Sequence, residues 1–135
     1  MTHRYFLILA INTTLIVTTL FSSCSKNDED IAAPVISIIQ PAANDTVQIT
    51  HGYITIKVVA SDNVEIKDME MNIKDESGTV LFNYDLDNLG DRSYTCIENF
   101  YPQHITQVTK LKLNVTFQNE YKNWESKTID FFVKP

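Results

Sequence analysis

Tyr53-Ile54-Thr55-Ile56-Lys57-Val58-Val59-Ala60 is the stretch on which the fold turns. Ile54, Ile56, Val58 and Ala60 recur at every second position, with Thr55 and Lys57 between them. Successive side chains of an extended strand point to opposite faces, so this spacing gives one face to a core and the other to water.

The same period of two appears on both sides of it. Met69, Met71 and Ile73 alternate within Asp68–Lys74, and Leu111, Leu113, Val115 and Phe117 alternate within Lys110–Gln118. Ile129, Phe131 and Val133 repeat the pattern within Thr128–Lys134. No window carries helical spacing. Turn-forming residues separate the runs: Asp62-Asn63, Glu76-Ser77-Gly78, Asn88-Leu89-Gly90-Asp91 and the segment Asn119 to Asn123. Strands are therefore expected near 35–40, 46–50, 53–61, 66–75, 79–86, 92–100, 108–118 and 124–134. Seven or eight short antiparallel strands, each with one apolar face, pack as two sheets, and the fold class expected is an all-β sandwich over residues 34–135.

The first 23 residues follow different rules. Thr2-His3-Arg4 is a short basic start, Tyr5 to Phe21 is mostly apolar, and Ser22-Ser23 closes the run with small residues. Basic start, apolar middle and small end are the parts of a secretory signal peptide. An uncleaved transmembrane anchor is the alternative, and Asn12 with the threonines at 13, 14, 18 and 19 weakens it. Residues 24–33 are polar, acidic and aperiodic, as a flexible tether is. Removing the leader takes away Arg4, its one formally charged side chain, and moves the net charge from −6 to −7. A surface of that sign disfavours nucleic acid, and no basic patch attracts anionic headgroups.

Two resemblances extend this reading. Phe21-Ser22-Ser23-Cys24 resembles the lipobox of bacterial lipoproteins, and Ser25-Lys26-Asn27-Asp28-Glu29-Asp30 resembles the acidic tract of surface-exported lipoproteins of Bacteroidetes-type bacteria. The resemblance implies that Cys24 is acylated and becomes the first residue of the mature chain. Pro34-Val35-Ile36-Ser37-Ile38, Pro41, Val47, Gly52, Ile54-Thr55-Ile56 and Ala60-Ser61-Asp62-Asn63 with Ile66 resemble the opening half of bacterial immunoglobulin-like domains. The whole chain is similar to small Bacteroidetes-type lipoproteins with such a domain of unknown function. That implies an immunoglobulin-like sandwich and brings no catalytic residue. The Cys…Trp…Cys arrangement of antibody domains is missing, because acylation of Cys24 leaves Cys96 alone.

Chemistry-bearing motifs are scarce. His51 and His104 sit in no metal-ligand spacing, and there is neither a G-x-S-x-G elbow nor a phosphate-binding glycine loop. No catalytic activity is expected. Asp85 and Asp87 share one side of a strand end, which suits acid–base work or simply a solvated edge. Asp62, Asn63 and Asp68 offer hard oxygen ligands for Ca²⁺, against the alternative of a turn whose side chains cap their own backbone. Cys96 alternates with Tyr94 and reads as a buried small hydrophobe.

The aromatics outside the core pattern are Tyr101, Tyr121, Trp124 and Phe132. Their flat apolar area with a hydrogen-bonding tip suits a sugar ring or a partner protein, or packing beneath a loop. Asp45-Thr46-Val47 resembles a short O-glycosylation acceptor of these bacteria, with Thr46 as the site. The expectation is an outer-membrane lipoprotein, exposed at the cell surface and attached through its N-terminal lipid. Its role would be that of a non-catalytic binding module for a glycan or protein. The alternative is a structural or accessory subunit of a cell-envelope complex.

Overall fold

The computed structural model describes residues 31–135. The expected signal peptide, Cys24 and the tether as far as residue 30 lie outside the described residues. Seven strands follow in order: β1 (Val35–Gln40), β2 (Thr46–Gln48), β3 (Ile54–Asp75), β4 (Val80–Leu86), β5 (Asp91–Phe100), β6 (Thr109–Asn119) and β7 (Trp124–Lys134). Among the described residues there is no helix.

Strand β3 organises everything else. Its first half pairs with β1 on one side and β5 on the other, Ala60 facing Ile36 and Tyr94. Its second half pairs with β4 and β6, Met71 facing Tyr84 and Val115. Strand β7 continues from β6, and β2 closes the far edge. The sheet thus curls into two layers, β1-β3-β5 and β4-β3-β6-β7-β2, and β3 belongs to both.

This corrects the expectation of two strands, 53–61 and 66–75, divided by a turn at Asp62-Asn63. The turn chemistry is present, since Asp62 Oδ1 accepts from the Val64 amide at 3.1 Å. It acts as an irregularity inside one strand, where the pairing with β5 jumps from Ser61 to Ile66. A second irregularity follows, because Ile66 faces Asn119 while Asp68 faces Gln118, leaving Lys67 as an extra residue. The reason is visible in the buried set. Ile54, Ile56, Val58, Ala60 and Ile66 are even-numbered, whereas Met69, Met71 and Ile73 are odd. With a side-chain period of two, only a one-residue bulge changes that phase.

Two further expectations are adjusted. The second strand is Thr46–Gln48 rather than 46–50, with only an isolated bridge between Thr50 and Tyr53 beyond it. It also runs parallel to β7, Val47 facing Val133, so the sandwich is not wholly antiparallel. A long reversal through His51 and Gly52, both at positive φ, returns the chain to β3 and leaves β2 free to join the opposite layer.

The core lies between the layers. Ile56, Val58, Met71, Ile73, Leu113, Val115, Phe117, Phe131 and Val133 are fully buried, and Ile129 packs partly against them. Burying each such side chain stabilises the domain by about 1.5–3 kcal/mol before entropy is counted. Among the described residues Cys96 is a free thiol, 2% exposed, in the same core. Burial, with the charge of Glu98 added, pushes its pKa up to about 11.

Candidate functional site

The outer face of the β4-β3-β6-β7 layer is banded by the strand register. At one end Trp124 faces Gln118, and Asp68 faces Gln118 on its other side. In the next row Asp85, Glu70, Thr116 and Ser126 lie side by side. Then come Asn83, Asn72, Asn114 and Thr128, and beyond them Lys74, Lys112 and Asp130. Each row is two residues, hence about 7 Å, from the next.

The first two rows form a groove of about 340 Å³ lined by Asp68, Met69, Glu70, Asp85, Asp87, Thr116, Gln118 and Trp124. Trp124 is 64% exposed there. Glu70 and Asp85 are direct cross-strand neighbours, and like charges so placed disfavour the pairing. Local amides partly compensate them. Asn83 donates to Asp85 at 2.8 Å, the Asn88 main chain reaches Asp68 at 3.4 Å, and Asn72 approaches Glu70 at 3.5 Å. Asn72 is buried, and its Oδ1 has no hydrogen-bond partner. Deeper along the face, Asn114 donates to Ser126 and Thr128 at 3.0 and 2.8 Å, and Thr116 donates to Ser126 at 3.1 Å.

The groove has the means to hold a polar ring. Carboxylates accept hydrogen bonds from hydroxyl groups, and an exposed indole offers a flat apolar surface against which a ring stacks. Among the described residues no group of three or more His, Cys, Asp or Glu side chains is placed to hold a metal ion.

The expected aromatics do not converge. Trp124 and Tyr121 flank the β6–β7 turn. Phe132 is eight residues further along β7, about 26 Å away, facing Lys110 and Thr46, and it is half-buried rather than free. Tyr101 leaves β5 at the opposite pole, where its ring lies 5.6 Å from that of Tyr53. Only Trp124 enters the groove, together with Asp85 and Asp87. Those two acids do share one side.

The three oxygen ligands considered for Ca²⁺ are separated by their structural duties. Asp62 caps Val64 and also accepts from Asn119 at 3.2 Å, while Asp68 faces the groove. Asn63 is exposed in the irregular middle of β3. Thr46 opens β2, exposed, its amide donating to Asp45 Oδ1 at 2.8 Å. His51 lines a separate hollow near β2 with Asp45 and Tyr53. Residues not singled out from the sequence, Glu70, Thr116 and Gln118, complete the groove. Their outward positions are readable from the alternation, but which of them become neighbours depends on inter-strand register.

Residues 34–96 match the family model described as Bacterial Ig domain. No curated protein matches the chain in sequence. Among solved structures, an engineered protein from the Northeast Structural Genomics Consortium shares 18% identity at a TM-score of 0.55, covering 77% of this chain and 21% of its own. The E. coli chaperone DraB shares 12% identity at a TM-score of 0.51, covering 77% of this chain and 56% of its own. CopC from Methylosinus trichosporium OB3b shares 13% at 0.48, covering 75% and 95%. This chain therefore spans about a fifth of the engineered protein and just over half of the chaperone. At such identities the likeness to the engineered protein and to the chaperone is one of fold alone. Together with the two curled layers, the family match over residues 34–96 makes the protein an all-β chain with an immunoglobulin-like β-sandwich domain.

Proposed function

We propose that this protein is a membrane-anchored, surface-exposed lipoprotein that binds a neutral glycan without catalysis through the Trp124 groove. The observation that carries this reading is the pairing of Glu70 with Asp85 beside an exposed indole. Facing carboxylates cost stability unless something else is gained, and hydroxyl groups of a sugar satisfy them while its ring covers Trp124. The four carboxylates of the groove, Asp68, Glu70, Asp85 and Asp87, disfavour sugars of net negative charge. Anchoring rests on Cys24 and the lipobox-like sequence before it. A small immunoglobulin-like domain on a lipid tether suits a module that presents a site rather than one that builds a reaction centre.

Binding of the full chain to immobilised neutral polysaccharides tests the site. Trp124→Ala and Glu70→Gln should each weaken retention at least tenfold while leaving the folding transition in place. Retention unchanged in both variants, or retention of anionic glycans alone, overturns the assignment.

A second reading, an accessory subunit of an envelope complex, is favoured by the free edges. Strands β4 and β5 each pair with β3 alone, so both layers offer an unpaired strand to a partner. Cross-linking on intact cells distinguishes the two: one constant protein neighbour supports the subunit, and none supports the glycan binder.

A further inference from the structure

We infer that the pole of the sandwich carrying the β6–β7 turn is a membrane-seating surface, held against the bilayer that anchors Cys24. The inference rests on the anchor reading above and adds an orientation to it. Asn119 is 1% exposed, and its Nδ2 donates to the Ala32 carbonyl at 3.0 Å. The Oδ1 of the same side chain accepts from the Tyr121 and Asn123 amides at 3.1 and 3.0 Å. The segment leading to the anchor is thereby bound to the β6–β7 turn and not to the opposite pole.

Length then restricts the geometry. Ala32 is eight peptide steps from Cys24, a reach of at most about 28 Å. The β6–β7 ladder, from Gln118 facing Trp124 to Thr109 facing Val133, is itself about 30 Å long. The turn pole is therefore the one that meets the bilayer when the domain stands on its tether.

Apolar side chains stand in water at both poles, Val80, Tyr101 and Val108 among them at the far one, but only those at the turn pole lie beside the tether. Ile31 is 91% exposed, Val35 67%, Trp124 64% and Tyr121 49%. Ile31 adjoins the bonded Ala32, Tyr121 lies two residues from Asn119, and Trp124 pairs with Gln118. Tyr and Trp favour the interfacial layer of a membrane, where the ring meets acyl chains and the polar tip meets headgroups. Charges at the pole lean acidic: Glu65 pairs with Lys67 at 2.6 Å and Glu120 adjoins Lys122 beyond Tyr121, while Asp68 and Asp87 line the groove beside Trp124. Such a surface suits zwitterionic lipid rather than an anionic bilayer. The occupant is therefore the headgroup layer of the tethering membrane. Seated there, the groove opens at headgroup level, so its ligand is displayed by the same membrane.

Trp124 is the chain's single tryptophan and reports the seating directly. Acylated full-length protein is placed in phosphatidylcholine vesicles carrying a nitroxide either at the headgroup or deep in the acyl chain. The headgroup label should remove roughly half of the Trp124 emission and the deep label far less, as an interfacial indole requires. Ile31→Ser with Tyr121→Ser should restore the emission while the folding transition is retained. An acylated protein whose emission neither label changes overturns the seating and leaves the anchor reading standing. A protein shown by mass to carry no acyl group overturns the anchor reading, and the seating with it.

Discussion

The Asn119 carboxamide donates to the Ala32 carbonyl across 87 positions of sequence, at 3.0 Å. The same group reaches Asp62 Oδ2 at 3.2 Å. One buried side chain thus joins the start of the domain, the irregular middle of β3 and the turn that links the last two strands.

Asn119→Ala removes these contacts together and leaves the amides of Tyr121 and Asn123 without their acceptor. Loss of a buried, multiply bonded side chain should cost about 2–4 kcal/mol of stability in urea denaturation. Asn119→Asp keeps the acceptor but sets a second carboxylate against Asp62. Its deficit should shrink as the pH falls through the carboxylate range. A loss below about 0.5 kcal/mol in the alanine variant sinks the assignment of Asn119 as a tie.

Deleting Lys67 should be far more harmful than replacing it. The residue is the extra position that shifts the inward set from even to odd numbers. Without it, Met69, Met71 and Ile73 turn toward solvent or the pairing with β6 slips. Lys67→Ser keeps the count and loses only an exposed ion pair with Glu65, worth little. Amide exchange and near-ultraviolet dichroism should show a native core in the substitution and none in the deletion. Equal folding of the two would refute the bulge argument.

Alkaline pH should reveal the link between the two edge strands. A hydrogen bond to Glu98 on β5, with burial next, raises the Tyr84 hydroxyl on β4 to about 12 from an ordinary 10.0. For a group whose folded pKa is raised, the stabilisation is full below the unfolded value and disappears as the pH climbs through the folded one. The wild type should therefore lose stability between about 10 and 12, and Tyr84→Phe should lose less across that window. Identical alkaline slopes in the two proteins exclude the Tyr84–Glu98 bond as their cause.

Cys96 should be nearly inert in the folded protein. With its pKa pushed from 9.0 to about 11, its thiolate fraction at neutral pH falls about a hundredfold, before its burial is counted. Alkylation by iodoacetamide should track global unfolding, becoming fast only in denaturant. Rapid modification of the native state contradicts the packing described for β5.

The sheet's alternation was legible because it follows from a local rule. Ile54, Ile56, Val58 and Ala60 had to share a face once the segment was extended, and Leu111 to Phe117 likewise. The continuity of β3 was not legible. Asp62 and Asn63 carry the side chains of a turn, yet pairing with β5 and β6 on either side outweighs that local preference. The parallel pairing of β2 was equally hidden, since three residues carry too little pattern to choose a partner.

The groove shows the same division. Trp124, Asp85 and Asp87 stood out as residue types without an evident core role. Tyr101 and Phe132 stood out in the same way but lie elsewhere, because distance along a strand becomes distance in space. Which side chains face inward along each strand was settled locally, since two-residue periodicity is written within a single segment. Which strands became neighbours, the facing of Glu70 with Asp85 and the hold on Ala32 at the β6–β7 turn emerged from the packed fold. Those relations join residues far apart in the chain and depend on register, which the packing of the whole core selects.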